Sequence, residues 1–170
     1  MDLKKKVRRV MDFPREGIDF IDITPVLQDP SCFEYAISCF VRELQGVDFD
    51  LVICTESRGF ILGAPVAYAL KKGLVPIRKQ GKLPYDVIQE KYALEYGDGV
   101  LEMHTDAIGQ GQKVIIIDDI LATGGTISAS INLTEKLGGI VNKILFLAEL
   151  EGLQSANIRS AYDVFAIVSI

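Results

Sequence analysis

Asp118 and Asp119 stand side by side at the end of an unbroken apolar run, Val114 to Ile117. Ile120 and Leu121 separate them from the small-residue segment Ala122-Thr123-Gly124-Gly125-Thr126. Carboxylates accept hydrogen bonds from hydroxyls and coordinate hard cations such as Mg2+. Small side chains at Ala122, Gly124 and Gly125 let backbone N–H groups approach an anion. The helix predicted over the apolar-periodic run Ile127 to Leu137 adds the positive end of its dipole. Two carboxylates beside a phosphate would repel it unless each faces something else, and a ribose diol or a metal would serve. Together the cradle and the acids describe a site for a ribose 5-phosphate. The blander alternatives are an ordinary helix cap at Asp119 or Thr123 and an ordinary tight turn at Gly124-Gly125. Neither Gly-x-x-x-x-Gly-Lys-Ser/Thr nor Gly-x-Gly-x-x-Gly is present, so a generic nucleotide loop is not indicated.

Arg58 follows a second apolar run, Phe49 to Cys54, within Thr55-Glu56-Ser57-Arg58. Its fork could hold a pyrophosphate through two parallel hydrogen bonds, or it could simply pair with Glu56. Lys79 and Lys82 flank Gly81 in a basic segment that reads either as a solvated loop or as a lid closing on an anion. His104 is the only histidine, and one uncoupled imidazole makes neither a catalytic triad nor a metal site. Cys32, Cys39 and Cys54 lie in apolar patterns without Cys-x-x-Cys spacing, the pattern of reduced, buried thiols in a cytoplasm.

These groups need a scaffold, and the pattern around them supplies one. Strands are expected at Phe49 to Cys54, Leu74 to Arg78, Val114 to Ile117, Ile140 to Leu150 and Tyr162 to Val168. Helices are expected from Ser31, as a capping box with Glu34, to about Gly46, from Gly59 to Leu70 with Pro65 bending it, and from Ile127 to Leu137. Strands alternating with helices predict a doubly wound, mainly parallel α/β sheet flanked by helices. Residues up to Met11 read as a short helix with a solvated basic face. Ile18 to Thr24 reads as an extended arm, Lys79 to Lys91 as a mobile loop, and Gly97-Asp98-Gly99 as a tight turn between two strands.

The chain has 170 residues, which fits a single domain spanning 1–170. Its 18 basic and 23 acidic residues leave a net charge of −5, which argues against nucleic acid and for a small molecule as partner. No run approaches the roughly 20 apolar residues of a membrane helix, and no apolar segment follows the basic N-terminal stretch as a signal peptide requires.

The acid pair with Thr123-Gly124-Gly125-Thr126 resembles the signature of the type I phosphoribosyltransferase family. Thr55-Glu56-Ser57-Arg58-Gly59-Phe60, Arg78-Lys79-Gln80-Gly81-Lys82-Leu83-Pro84 and Leu94-Glu95-Tyr96-Gly97 resemble its adenine-specific members in order and spacing, and the likeness runs from about Phe13 to about Leu153. The resemblance implies purine salvage, in which 5-phosphoribosyl 1-pyrophosphate and adenine give AMP and pyrophosphate. It implies that Asp118, Asp119, Glu95 and Arg58 serve catalysis, and that Ala122, Thr123, Gly124, Gly125 and Thr126 hold the 5-phosphate. Ser57, Arg58, Lys79 and Lys82 would hold the pyrophosphate. The segment from Arg78 through Glu95 would be a flexible lid, and residues 1 to about 28 a hood placing Asp19, Phe20 and Ile21 against adenine. Ile21 departs from the pattern, because relatives often carry a basic residue there. Mg2+ bound mainly through the donor, a cytoplasmic location and a homodimer are further implications.

Overall fold

Runs of β-branched residues fall at regular intervals between helix-length segments, and burial turns each into a sheet strand. The computed structural model describes residues 1–94, 97–151 and 156–170. In chain order the elements are β1 (Arg8–Met11), β2 (Asp19–Asp22), α1 (Thr24–Gln28), α2 (Pro30–Glu43), β3 (Leu51–Thr55), α3 (Arg58–Leu70) and β4 (Gly73–Lys79). They continue with β5 (Val87–Leu94), β6 (Gly97–His104), β7 (Lys113–Leu121), α4 (Gly125–Lys136), β8 (Ile140–Glu149), α5 (Ala156–Ala161) and β9 (Val164–Ser169). The main sheet runs β5-β6-β4-β3-β7-β8-β9, and β1 pairs with β2 in a separate ribbon. β4, β3, β7, β8 and β9 are mutually parallel, whereas β6 is antiparallel to β4 and β5 antiparallel to β6. The expected doubly wound, mainly parallel sheet is therefore present.

Side chains alternate across β7, and the two faces fill different cores. Ile115 and Ile117 pack with Phe40, Leu62 and Val66 of α2 and α3. Val114 and Ile116 pack with Ile127, Ile131 and Leu133 of α4. All four β7 side chains are fully buried, and each such burial stabilises the fold by roughly 1.5–3 kcal/mol. The chain passes from β3 outward to β4 and from β7 outward to β8, so the connections diverge between β3 and β7. Ligands of open α/β sheets bind at the carboxyl end of such a switch point.

Several local expectations are corrected. The segment up to Met11 is a 3₁₀ turn at Leu3–Lys5 followed by β1, which pairs Arg8 with Asp22 and Val10 with Phe20. The pairing brings Arg9 Nε to within 2.7 Å of Asp19 and Arg8 to within 3.7 Å of Asp22. Pro25 sits in the first turn of α1, where its missing N–H has no helical partner to lose. The cap of α2 is Asp29, which accepts from the Ser31 and Cys32 amides, and the Ser31–Glu34 box is not used. α3 runs through Pro65 to Leu70. The expected mobile loop is shorter than read, since β5 already begins at Val87, and Gly97 to Gly99 belong to β6 rather than to a turn. α5 was not anticipated.

Candidate active site

β7 carries the acid pair to its carboxyl end. Asp118 and Asp119 are 8% and 6% exposed, and both line a cavity of about 570 Å3. The Asp119 amide donates to Asp118 Oδ1 at 2.9 Å. Burial, and then the neighbouring Asp119 charge, hold the Asp118 carboxyl well above the ordinary carboxylate range. Burial also raises Asp119, but the Arg58 guanidinium 2.6 Å away opposes that rise. The pair therefore differs in character: Asp119 is ion-paired with Arg58, whereas Asp118 forms no ion pair among the described residues and feels Arg58 only as a weaker, more distant charge.

The segment after β7 wraps a smaller hollow of about 60 Å3, about twice the volume of a liquid water, lined by Ala122, Thr123, Gly124, Gly125 and Thr126. Gly124 caps α4 from the left-handed region at φ 87°, which a side chain would disfavour. No side chain caps the first turn of α4, so its leading N–H groups are open to an anion from the hollow.

β3 is parallel to β7 and ends at Thr55, so Glu56, Ser57 and Arg58 emerge beside the acids. The Glu56–Ser57 peptide is cis. Burial works to raise the Glu56 pKa, but the Lys79 amide and Arg78 Nε, each 3.1 Å away, outweigh it and leave the carboxyl below its ordinary value. The alternative pairing of Arg58 with Glu56 is thus not formed. Arg58 instead donates from Nη1 to the Ile21 carbonyl at 3.1 Å and lies over the Phe20 ring, 5.1 Å from its centroid. Phe20 in turn meets Phe13 edge to face at 5.2 Å.

A phosphoribosyl transferase domain model matches residues 37–167, which span both strand ends and the small-residue loop. The chain belongs to the phosphoribosyltransferase family. It is 58% identical to the adenine phosphoribosyltransferase of Caldicellulosiruptor saccharolyticus, over 99% of this chain and 96% of that protein. The adenine phosphoribosyltransferase of Ruminiclostridium cellulolyticum is 56% identical, with 99% of each chain covered. Among solved structures, that from Thermoanaerobacter pseudethanolicus superposes with a TM-score of 0.94 at 49% identity, covering 99% of this chain and 98% of the other. The Saccharomyces cerevisiae enzyme, solved with D-2,5-dideoxy-2,5-imino-altritol 1,6-bisphosphate and adenine, gives 0.89 at 37% identity, covering 96% and 95%.

On this phosphoribosyltransferase fold, the cavity brings together Asp118, Asp119, Ser57, Arg58, Lys79, Ala122, Thr126, Asp19, Phe20 and Ile21 from the residues singled out in the sequence. Thr123, Gly124 and Gly125 line the adjoining hollow. Lys82 is exposed and outside the cavity lining, and its carbonyl accepts from Arg78 at 3.2 Å. Glu95 lies outside the described residues. Sequence reasoning missed Thr55, Tyr92 and Leu101, which also line the cavity. Tyr92 falls in one of the two strands expected to flank Gly97-Asp98-Gly99 and is found on β5, but its strand position alone carries no signal of a role in the site.

Proposed function

We propose that this chain is a purine salvage enzyme that transfers the 5-phosphoribosyl group from 5-phosphoribosyl 1-pyrophosphate to adenine, giving AMP and pyrophosphate. The observation that carries this reading is the junction of the acid pair with the uncapped N-terminus of α4 at the β3/β7 switch point. A phosphate at Ala122 to Thr126 leaves its ribose beside Asp118 and Asp119, and the pyrophosphate then falls toward Ser57, Arg58 and Lys79, with Lys82 nearby on the same basic segment. Asp19, Phe20 and Ile21 close over the opposite side, where the base must enter.

The chemistry follows from this arrangement. Breaking the anomeric C–O bond builds positive charge on the sugar and negative charge on the leaving pyrophosphate. Carboxylates facing the sugar stabilise the first, and Arg58 and Lys79 the second. No protein nucleophile is required. Glu95 is assigned to managing the proton of the purine imidazole as its nitrogen attacks. Excluding water protects the donor from hydrolysis, and the segment from Lys79 through the β4–β5 connection into β5 serves as the cover.

Asp118 presents a hard oxygen donor that forms no ion pair among the described residues, which fits Mg2+ held mainly by the donor's phosphates and waters. No group of three or more potential metal ligands occurs among the described residues. Such a metal would neutralise charge on the departing pyrophosphate.

A homodimer is part of the reading. Ile61, Ala64 and Tyr68 form an exposed apolar stripe at i, i+3 and i+7 on α3, and Leu74 is exposed just beyond it; a second copy would cover this stripe. A cytoplasmic location is supported by Cys32, Cys39 and Cys54, all free thiols. No helix among the described residues is long and apolar enough to cross a membrane.

The test is formation of AMP from each purine with labelled donor, with and without Mg2+. Adenine turnover well above hypoxanthine, guanine and xanthine is expected. Donor binding without any product would reject the enzymatic reading.

A further inference from the structure

Tyr92 lies on β5 directly opposite Gly99 of β6. The fit between them is tight: a methyl group at position 99 would stand 2.5 Å from Cε1 and Cζ and 2.8 Å from the phenol oxygen. The absence of a side chain at Gly99 therefore leaves room for the Tyr92 ring to lie where it does, and the ring is packed against the α4-side core. From that position Tyr92 lines the cavity that holds Asp118, Glu56 and Thr126. Among the described residues its phenol oxygen makes no hydrogen bond. Burial, then the charges of Asp118 and Glu56, push the phenol pKa up, so the group keeps its proton at neutral pH.

A half-buried phenol in a wall with two carboxylates is a neutral donor aimed at a space meant for a polyanion. It supplies a hydrogen bond there without needing a counter-charge. β5 is an edge strand of the sheet, so Tyr92 carries this contact on the outermost strand beside the cavity.

We infer that Tyr92 is a donor-binding residue, giving its phenol O–H to an oxygen of the phosphoribosyl donor at the wall between Asp118 and Glu56, with Gly99 acting as the seat that holds the ring in place. This rests on the assignment of Asp118 to the sugar.

Steady-state kinetics on the intact protein test it. Tyr92→Phe keeps the ring and removes only the hydroxyl, and should raise the KM for 5-phosphoribosyl 1-pyrophosphate roughly 10-fold while leaving the KM for adenine nearly unchanged, the loss expected of one hydrogen bond to a charged group. Gly99→Ala should impose a similar donor-side defect when Tyr92 is present and add little to Tyr92→Ala, because the ring it displaces is then gone. Wild-type kinetics in Tyr92→Phe, or an equal loss toward both substrates, would overturn the inference. So would a Gly99→Ala defect of the same size in both backgrounds. If Tyr92→Phe is silent while Asp118→Asn is inactive, the donor contact fails and the sugar assignment stands; full activity in Asp118→Asn removes the assignment itself.

Discussion

Arg58 Nε lies 2.6 Å from Asp119 Oδ2, although the two residues come from different strand ends. The same guanidinium holds the Ile21 carbonyl and covers Phe20, so one side chain ties the acid pair to the hood. Arg58→Ala should therefore lower turnover about 10-fold or more and also raise the KM for adenine, because the hood loses its support. Arg58→Lys should recover little of either, since an ammonium cannot serve a carboxylate and a carbonyl from one planar fork. Separate kcat and KM measurements for the two substrates check this, and an effect confined to pyrophosphate inhibition would contradict it.

Asp118 carries a stability consequence with a definite sign. Its folded-state pKa is raised by burial and by Asp119, so the folded state binds more protons than the unfolded one between the two values. The stability associated with Asp118 is fully present below its ordinary value of 3.8 and is lost as pH rises through the raised pKa. Asp118→Asn should abolish or sharply reduce activity and yet raise the melting temperature near neutral pH by a few degrees, with the gain vanishing as the pH approaches 4. Thermal melts of both proteins from pH 4 to 8 measure it.

Asp29 behaves in the opposite sense. Lys6, followed by the Cys32 amide, lowers its carboxyl to about 2. Its contribution is present above the ordinary value of 3.8 and is lost as pH falls toward about 2. Asp29→Ala should lower the melting temperature at pH 7, where the α2 cap and the Lys6 pair are both removed, and make little difference at pH 2. Circular dichroism melts at the two pH values decide it.

Gly63 lets α3 approach β3. A Cβ there would sit 1.8 Å from the Cys54 sulfur and 3.7 Å from Ile117 Cβ. Gly63→Ala should cost about 1–3 kcal/mol through overpacking, and adding Cys54→Ala should restore much of that by removing the sulfur. Urea unfolding of the single and double variants reads the coupling; additive losses would show that the sulfur is not the obstacle.

The central part of this molecule was legible because its signals are local. Val114 to Thr126 contain their own strand, acids, cradle and helix start, and Thr55 to Arg58 follow a strand whose apolar run is unmistakable. The N-terminal segment misled because β1 exists only through β2: the Arg9–Asp19 and Arg8–Asp22 pairs that fix it join residues a turn apart in space but separated in sequence. The last part of the segment expected as a mobile loop, from Val87, is strand for a similar reason. Glu90 of β5 is held by Asn132 and Lys136 of α4, and Glu102 of β6 accepts from Gln89 and the Gly81 amide. Polar residues that looked solvated are cross-linked by partners far along the chain. Asp29 took the cap from Ser31 because it precedes Pro30, whose fixed φ starts the helix one residue earlier.

Leu51 pairs with Val114, and everything from α3 to β6 is synthesised between them. Bringing β7 to β3 closes a far longer loop than local pairings such as β3–β4 or β5–β6 and is correspondingly slow, so maturation of this protein should be governed by the arrival of β7 at β3. A growing polypeptide that has not yet released β7 owns no crevice at all, and can neither capture nor waste the cell's activated sugar.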